Sequence, residues 1–248
     1  MNPQVQALIE AIRAATPPDA PRLWDLDPVA ARAAANLFFA ALNHGGPEMA
    51  EVRDVAIPGR RGPIPAHLYV PRTARSLSPG LLFFHGGGFV IGSPATHDRL
   101  ARELAAGSDA RVLSIDYALA PEHPYPEGLD DCVDSARWLG EHGRELGVDS
   151  GQLVIGGDSA GANLAAATIL RLRDEGWART FRGALLIYGR FARGETPSIR
   201  AWGDRDLILS QRVMQWFEGH YGAATARPGD DPYLTPLLAD LGGFPRRS

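Results

Sequence analysis

Leu153-Val154-Ile155-Gly156-Gly157-Asp158-Ser159-Ala160-Gly161 is the stretch whose reading decides the fold. The apolar run before it reads as a buried strand over Gln152–Gly157. Apolar residues at helical spacing from about Ala160 to Glu175 read as a helix. Between them, Gly157–Gly161 matches G-x-S-x-G in the strand–turn–helix context that gives the motif meaning. A nucleophilic serine needs a sharp turn that lifts its Oγ off the strand end. The flanking glycines let neighbouring backbone pass without a Cβ clash, and the Ala160 N–H at the helix start faces developing negative charge. The plain alternative is a glycine-rich turn with an ordinary N-cap serine. The satisfied context argues against it.

Working outward, His85-Gly86-Gly87-Gly88-Phe89 follows another short apolar run, Leu81–Phe84. Three glycines leave N–H groups free to point at a ligand oxygen, and an HGGG-type loop is the expected partner of a G-x-S-x-G elbow. His85 reads as a loop-orienting histidine rather than a base, because the chain order expected of such a site is Ser, then acid, then His. Asp158, beside the serine, reads as a loop-bracing carboxylate.

The same pass places strands at Leu81–Phe84, Arg111–Tyr117, Gln152–Gly157 and Ala184–Tyr188. Helices fall at about 95–106, 127–142 and 160–175. This β-α-β-α-β-α-β order argues a parallel, doubly wound α/β sheet. In front of it, Val52, Val55, Ile57 and Ile64, Ala66, Leu68, Val70 read as a hairpin around a turn at 58–63. Two helices precede the hairpin, at 4–15 and 28–43. The second is expected to start on Asp27 with Pro28 at its first position and to carry an apolar face of Val29, Ala33, Leu37, Phe38 and Ala41. After Tyr188 the rhythm breaks, leaving one amphipathic helix near 210–221 and no further strand. The expected organisation is a helical cap arm over 1–45, an α/β core over 46–189, and cap helices with a truncated C-terminal segment over 190–248.

The 248 residues suit one large α/β domain. Twenty-five Lys and Arg against 29 Asp and Glu give a net charge of −4, which excludes a basic nucleic-acid footprint. One cysteine, Cys132, excludes an internal disulfide framework and fits a reducing compartment. The first twenty residues do not read as a signal peptide, and no apolar window approaches a membrane span. A cytoplasmic protein with no membrane attachment is expected. No His/Cys/carboxylate set has ligand spacing, so no metal is expected.

The motifs His85–Gly88, Asp116-Tyr117-Ala118-Leu119-Ala120-Pro121-Glu122-His123-Pro124, Gly157–Gly161 with Ala162-Asn163-Leu164, and Asp231-Pro232-Tyr233-Leu234-Thr235-Pro236-Leu237 carry a resemblance. The sequence resembles the hormone-sensitive-lipase-like esterases of the α/β-hydrolase superfamily over roughly residues 50–245. The resemblance implies an α/β-hydrolase fold with a helical cap and hydrolysis of short to medium acyl esters without a cofactor. It implies Ser159 as nucleophile, with an oxyanion hole from the N–H groups of Gly86, Gly87, Gly88 and Ala160.

The family's acid and histidine segments have no counterpart here. Leu241-Gly242-Gly243-Phe244-Pro245 stands where the next strand should begin, and Arg246-Arg247-Ser248 follows. The reading therefore expects a chain lacking the last strand–helix units. The remaining Ser…Asp…His order is Ser159 with Asp204 or Asp206 and His220, which nothing in the sequence brings together. His97, His123 and His142 precede the serine, and Cys132 reads as a structural helix residue. Two functions stay open. One is a serine carboxylesterase acting on a small-molecule ester. The other is a catalytically weak or inactive hydrolase-like protein that binds a small ligand. Phe38, Phe89 and Trp202 are expected to narrow the pocket toward short esters. Self-association into a homo-oligomer through the strand near Ala184–Tyr188 is expected, unless residues 190–245 cover that edge.

Overall fold

Apolar runs fully sheathed in backbone hydrogen bonds form the centre of the sheet, as shown by a computed structural model of the chain. It describes every residue except 1, 18, 178, 193, 195, 206–208, 223–230, 243 and 245–248. Six strands make one sheet: β1 Met49–Gly59, β2 Gly62–Pro71, β3 Ser78–Phe84, β4 Arg111–Ile115, β5 Val148–Asp158 and β6 Gly183–Ile187. Their order is β1-β2-β4-β3-β5-β6. β1 pairs antiparallel with β2, and β2 with β4. The pairs β4–β3, β3–β5 and β5–β6 are parallel. Helices α3 Asp98–Ser108, α4 Glu127–His142 and α5 Ala160–Asp174 cross between the parallel strands.

The expected α/β class and the β-α alternation along the chain hold. The hairpin is tighter than the 58–63 turn read from sequence, since Gly59 already pairs with Gly62 across Arg60 and Arg61. Those two arginines dock the turn on α4. Arg60 reaches Asp130 and Asp134, and Arg61 reaches Glu127 and Asp131. Leu82, Phe83 and Phe84 on β3 are fully buried, as a strand covered on both faces requires. One core cluster joins Leu82 and Phe84 to α4 and α5, and another joins Phe83 to Ala101 and Ala105 of α3.

In front of the sheet lie α1 Pro3–Ala15 and α2 Pro28–Leu42. Asp27 caps α2 by accepting the Ala30 N–H at 2.9 Å. The face of α2 assigned from sequence is wrong. Val29 and Leu37 are exposed, and the buried face carries Ala31 and Ala35. Small side chains win there because α2 approaches Val90 and Ile91 closely, while Arg32 donates to the Val90 and Ala120 carbonyls and pairs with Glu122.

Beyond β6 come a short helix not foreseen from sequence, α6 Pro197–Trp202, and α7 Gln211–Tyr221. Residues 231–242 run beside α5, where Tyr233 donates to Asp174 and Arg173 donates to the Asp240 carbonyl. Among the described residues nothing pairs with the outer edge of β6, whose five residues are all half-buried. Among the described residues no helix is long and apolar enough to cross a membrane.

Replacing Leu82 with alanine removes a fully buried side chain between two helices and a strand pair. Chemical denaturation is expected to show a loss of about 2–5 kcal/mol, and an unchanged midpoint would contradict the core placement.

Candidate active site

Ser159 sits between β5 and α5 with φ 53° and ψ −115°, a left-side backbone conformation that ordinary residues avoid. Two constraints hold it. Its N–H donates to the Ile187 carbonyl at 2.9 Å. Two residues on, Gly161 lies so close to β3 that a Cβ there would be 1.9 Å from the Phe84 oxygen and 2.7 Å from the His85 oxygen. The start of α5 is thus jammed against the end of β3, and the serine between them is pushed up from the sheet.

The 86–88 loop lies across the strand end from this elbow. Asp158 Oδ1 accepts the Gly86 N–H at 2.8 Å. The buried His85 ring bonds the Gly86 carbonyl through Nδ1 at 2.8 Å and stacks on Tyr117, which donates to the His85 carbonyl. Burial, reinforced by nearby His97, pushes His85 down to about 3, so it stays neutral at neutral pH. Both side chains bond the loop at Gly86, and the Gly86 N–H expected in the oxyanion hole is taken by Asp158.

Two cavities open at Ser159. One, about 140 Å³, is lined by Phe89, Ala160, Asn163, Arg190, Met214 and Glu218, among others. The other, about 1130 Å³, is mostly apolar and reaches Leu23, Ala35, Phe38 and Phe39 of the N-terminal arm. Gly88, Tyr188 and Phe217 border both. Gly88 has φ 60°, and its bare Cα takes the Phe217 ring, which an added Cβ would meet at 2.2 Å. Phe38 and Phe89 therefore line the site as expected. Trp202 does not: it is exposed and lies against Arg205, at 4.3 Å.

Of the seven histidines, only His97 lines a cavity at Ser159. Both of its ring nitrogens face protein atoms. Nε2 lies 3.4 Å from Asp158 Oδ1, and Nδ1 lies 2.9 Å from Thr96 Oγ1. His220 packs on Trp216 and borders neither cavity, and Asp204 is exposed, so the structure does not assemble that set. Asp206 lies outside the described residues. His123 is tied to Glu127, and His142 to Glu145. Cys132 is buried in α4, where desolvation, helped by Asp131 and Asp130, pushes its thiol well above the ordinary value. Among the described residues no metal-holding cluster occurs.

Sequence reasoning missed Tyr188 and the role of His97. Tyr188 donates to Asp158 Oδ2 at 2.8 Å. Its reading as the last residue of a strand concealed this, because it leaves β6 with φ 39°. Only the position directly after a strand facing the elbow could have flagged it.

In Gly161→Ala the added Cβ has nowhere to go. The variant is expected to lose about 1–3 kcal/mol or more in chemical denaturation, and wild-type stability would contradict the elbow packing.

Residues 81–247 match the family described as alpha/beta hydrolase fold. The esterase LipI of Mycobacterium tuberculosis is 48% identical over 200 residues, covering 79% of this chain and 62% of that protein. The carboxylesterase NlhH of the same species is 46% identical over 193 residues, covering 73% and 58%. Among solved structures, an alpha/beta hydrolase enzyme from the metagenome of Lake Arreo superposes with a TM-score of 0.92 at 36% identity, covering 99% of this chain and 77% of that one. A hyperthermophilic esterase from the archaeon Pyrobaculum calidifontis gives 0.88 at 35% identity, with the same coverage. The chain spans about three fifths of the length of the curated relatives it matches.

Proposed function

The chain belongs to the alpha/beta hydrolase fold family, in its hormone-sensitive-lipase-like branch, and from that premise we propose that it is a serine carboxylesterase for short to medium acyl esters. The observation that carries the reading is Ser159, raised on a strained elbow opposite the 86–88 loop at the meeting of two cavities. Ser159 Oγ attacks the ester carbonyl carbon. The N–H groups of Gly87, Gly88 and Ala160 are the candidates for holding the oxyanion, whereas the Gly86 N–H, expected from the sequence to join them, is spent on Asp158 Oδ1. As the C–O bond breaks, the proton lost by Oγ passes through a base to the leaving alkoxide. Water then releases the acid from the acyl-serine by the reverse sequence. No cofactor enters this scheme.

The base decides how fast this runs. None of the seven histidines offers a free ring nitrogen to either cavity. A serine without its base is a weak nucleophile near pH 7. In a well-studied serine protease, losing a triad member costs roughly 10⁶-fold in kcat and leaves roughly 10³–10⁴ over water. That observation favours a second reading, a catalytically weak or inactive relative that binds a small ester-like ligand in the same cavities. Hydrolysis of p-nitrophenyl acetate separates them. The esterase reading expects turnover above the residual level, abolished in Ser159→Ala. Turnover unchanged in that variant would remove Ser159 as nucleophile.

Residues 1–45 and α6–α7 act as the cap in this proposal. The support is that α7 packs on residues 23–25 and shares a small core with α2, Val90 and Ile91. Phe217 borders both cavities, and in this proposal the acyl arm takes the 140 Å³ pocket. At about 30 Å³ per water-sized group, that pocket suits an acetyl to butyryl arm. Acetate to butyrate esters are expected to exceed decanoate esters in kcat/KM, and Phe217→Ala is expected to flatten that profile. A long-chain preference in the wild type would overturn the assignment.

The same proposal includes self-association through β6, supported by its unpaired outer edge among the described residues. Light scattering is expected to show a dimer or larger; a monodisperse monomer at high concentration would refute it. A cytoplasmic site of action is supported by the single free cysteine, buried Cys132. The proposed partner is a small ester, supported by the two cavities at Ser159, and the net charge of −4 gives no support for a nucleic-acid partner.

A further inference from the structure

The Asp158 carboxylate is 4% exposed and makes three contacts from three different segments. Gly86 of the loop donates its N–H to Oδ1 at 2.8 Å. Tyr188, just past β6, donates its hydroxyl to Oδ2 at 2.8 Å. His97, just before α3, places Nε2 at 3.4 Å from Oδ1. Burial pushes the carboxyl up, but the His97, Tyr188 and Gly86 contacts outweigh it and leave it below the ordinary value. It is therefore an anion at neutral pH, and a buried anion is tolerated only while its partners stay in place.

Each partner is itself held. His97 Nδ1 lies 2.9 Å from Thr96 Oγ1 and 3.3 Å from the Ser93 carbonyl, so the ring cannot swing without breaking the turn that starts α3. Tyr188 has φ 39°, a costly conformation for an aromatic residue. It persists because the adjacent Ile187 carbonyl accepts the Ser159 N–H while the Tyr188 hydroxyl holds Asp158. The end of β6 thus grips the backbone of the nucleophile and the side chain beside it at once. The result is a chain of contacts from β6 through Asp158 to the one loop amide, Gly86, that the carboxylate restrains.

We propose that Tyr188 and His97 are positioning residues that hold the Asp158 carboxylate and through it set the 86–88 loop before an ester arrives. This rests on the reading of that loop as an oxyanion hole. Neither residue transfers a proton or touches the reacting carbon. Tyr188 spends its hydroxyl on Asp158, and His97 spends both ring nitrogens on protein atoms.

The test pairs amide hydrogen exchange at residues 84–92 with kinetics on p-nitrophenyl butyrate in the full chain. Tyr188→Phe deletes one hydroxyl and keeps the ring. His97→Ala removes the second contact, while His97→Gln keeps an amide N–H near the position of Nε2. Losing one hydrogen bond to a charged group is expected to speed Gly86 exchange about tenfold or more and lower kcat about tenfold with KM within about twofold. Exchange in β4 and Tm should stay near wild type, and His97→Gln should restore most of the Gly86 protection that His97→Ala loses. A merely structural role would move Tm and KM with kcat and would not single out Gly86. If Gly86 exchange is unchanged in both Tyr188→Phe and His97→Ala, the proposal is overturned whatever the kinetics show. If exchange responds as expected while the wild type hydrolyses no ester, the positioning role stands and the esterase reading fails.

Discussion

The contact on which the rest of this molecule depends is the one between the start of α5 and the end of β3. The Gly161 backbone meets the Phe84 and His85 carbonyls with no room for a side chain. A helix held that close to its neighbouring strand cannot leave the sheet gradually. The turn before it must be sharp, and Ser159 absorbs the strain with a positive φ. Parallel pairing places β3 and β5 side by side at the sheet centre. The 86–88 loop, leaving β3, therefore lands beside the serine, leaving β5. Topology brings Ser159 and the candidate oxyanion donors together, and the Asp158 carboxylate only has to span the remaining gap.

This explains why so much of the centre was legible in the residues. Leu81–Phe84 and Val112–Ile115 are buried, and Leu153–Gly157 nearly so, and these segments read as short apolar runs without alternation. The two glycine motifs are legible for the same reason: close backbone approach admits one residue type and leaves a mark in the sequence. The hairpin was legible in its strands but not in its turn. Arg60 and Arg61 occupy the tip because each pairs with carboxylates of α4, a long-range reason that no turn preference encodes.

The N-terminal arm was legible only as helices. Helical spacing in α2 marked Val29, Ala33, Leu37, Phe38 and Ala41 as its apolar positions. The helix instead buries Ala31 and Ala35, because what it packs against is a loop at Val90–Ile91 rather than another helix with deep grooves. Arg32, in the middle of that buried face, reaches two carbonyls of the core and one carboxylate. A polar residue at the centre of a packing face is invisible to a reading by hydrophobic period. Large apolar residues left on the outer and cavity sides are then free for another use, and Phe38 lines the larger chamber.

Tyr188 and His97 were illegible for a related physical reason. Their partner is a single carboxylate whose value lies in where it sits, not in any spacing along the chain. Asp158 is fixed by the elbow, His97 by the turn before α3, and Tyr188 by the end of β6, segments about 60 and 30 residues away from the aspartate in sequence. Local preferences resist Tyr188, since a left-handed φ at an aromatic residue costs energy wherever it occurs. Local rule and tertiary demand disagree at Ser159 in the same way, and these two strained residues are joined through the Ile187 carbonyl. Strain at one position alone could relax by a small backbone shift. Strain at two linked positions, each tied to the same elbow, is held in place by the sheet itself. The rigidity of the candidate site therefore comes from β5–β6 pairing, which makes β6, the strand with an unpaired outer edge among the described residues, also the strand on which the serine's geometry leans.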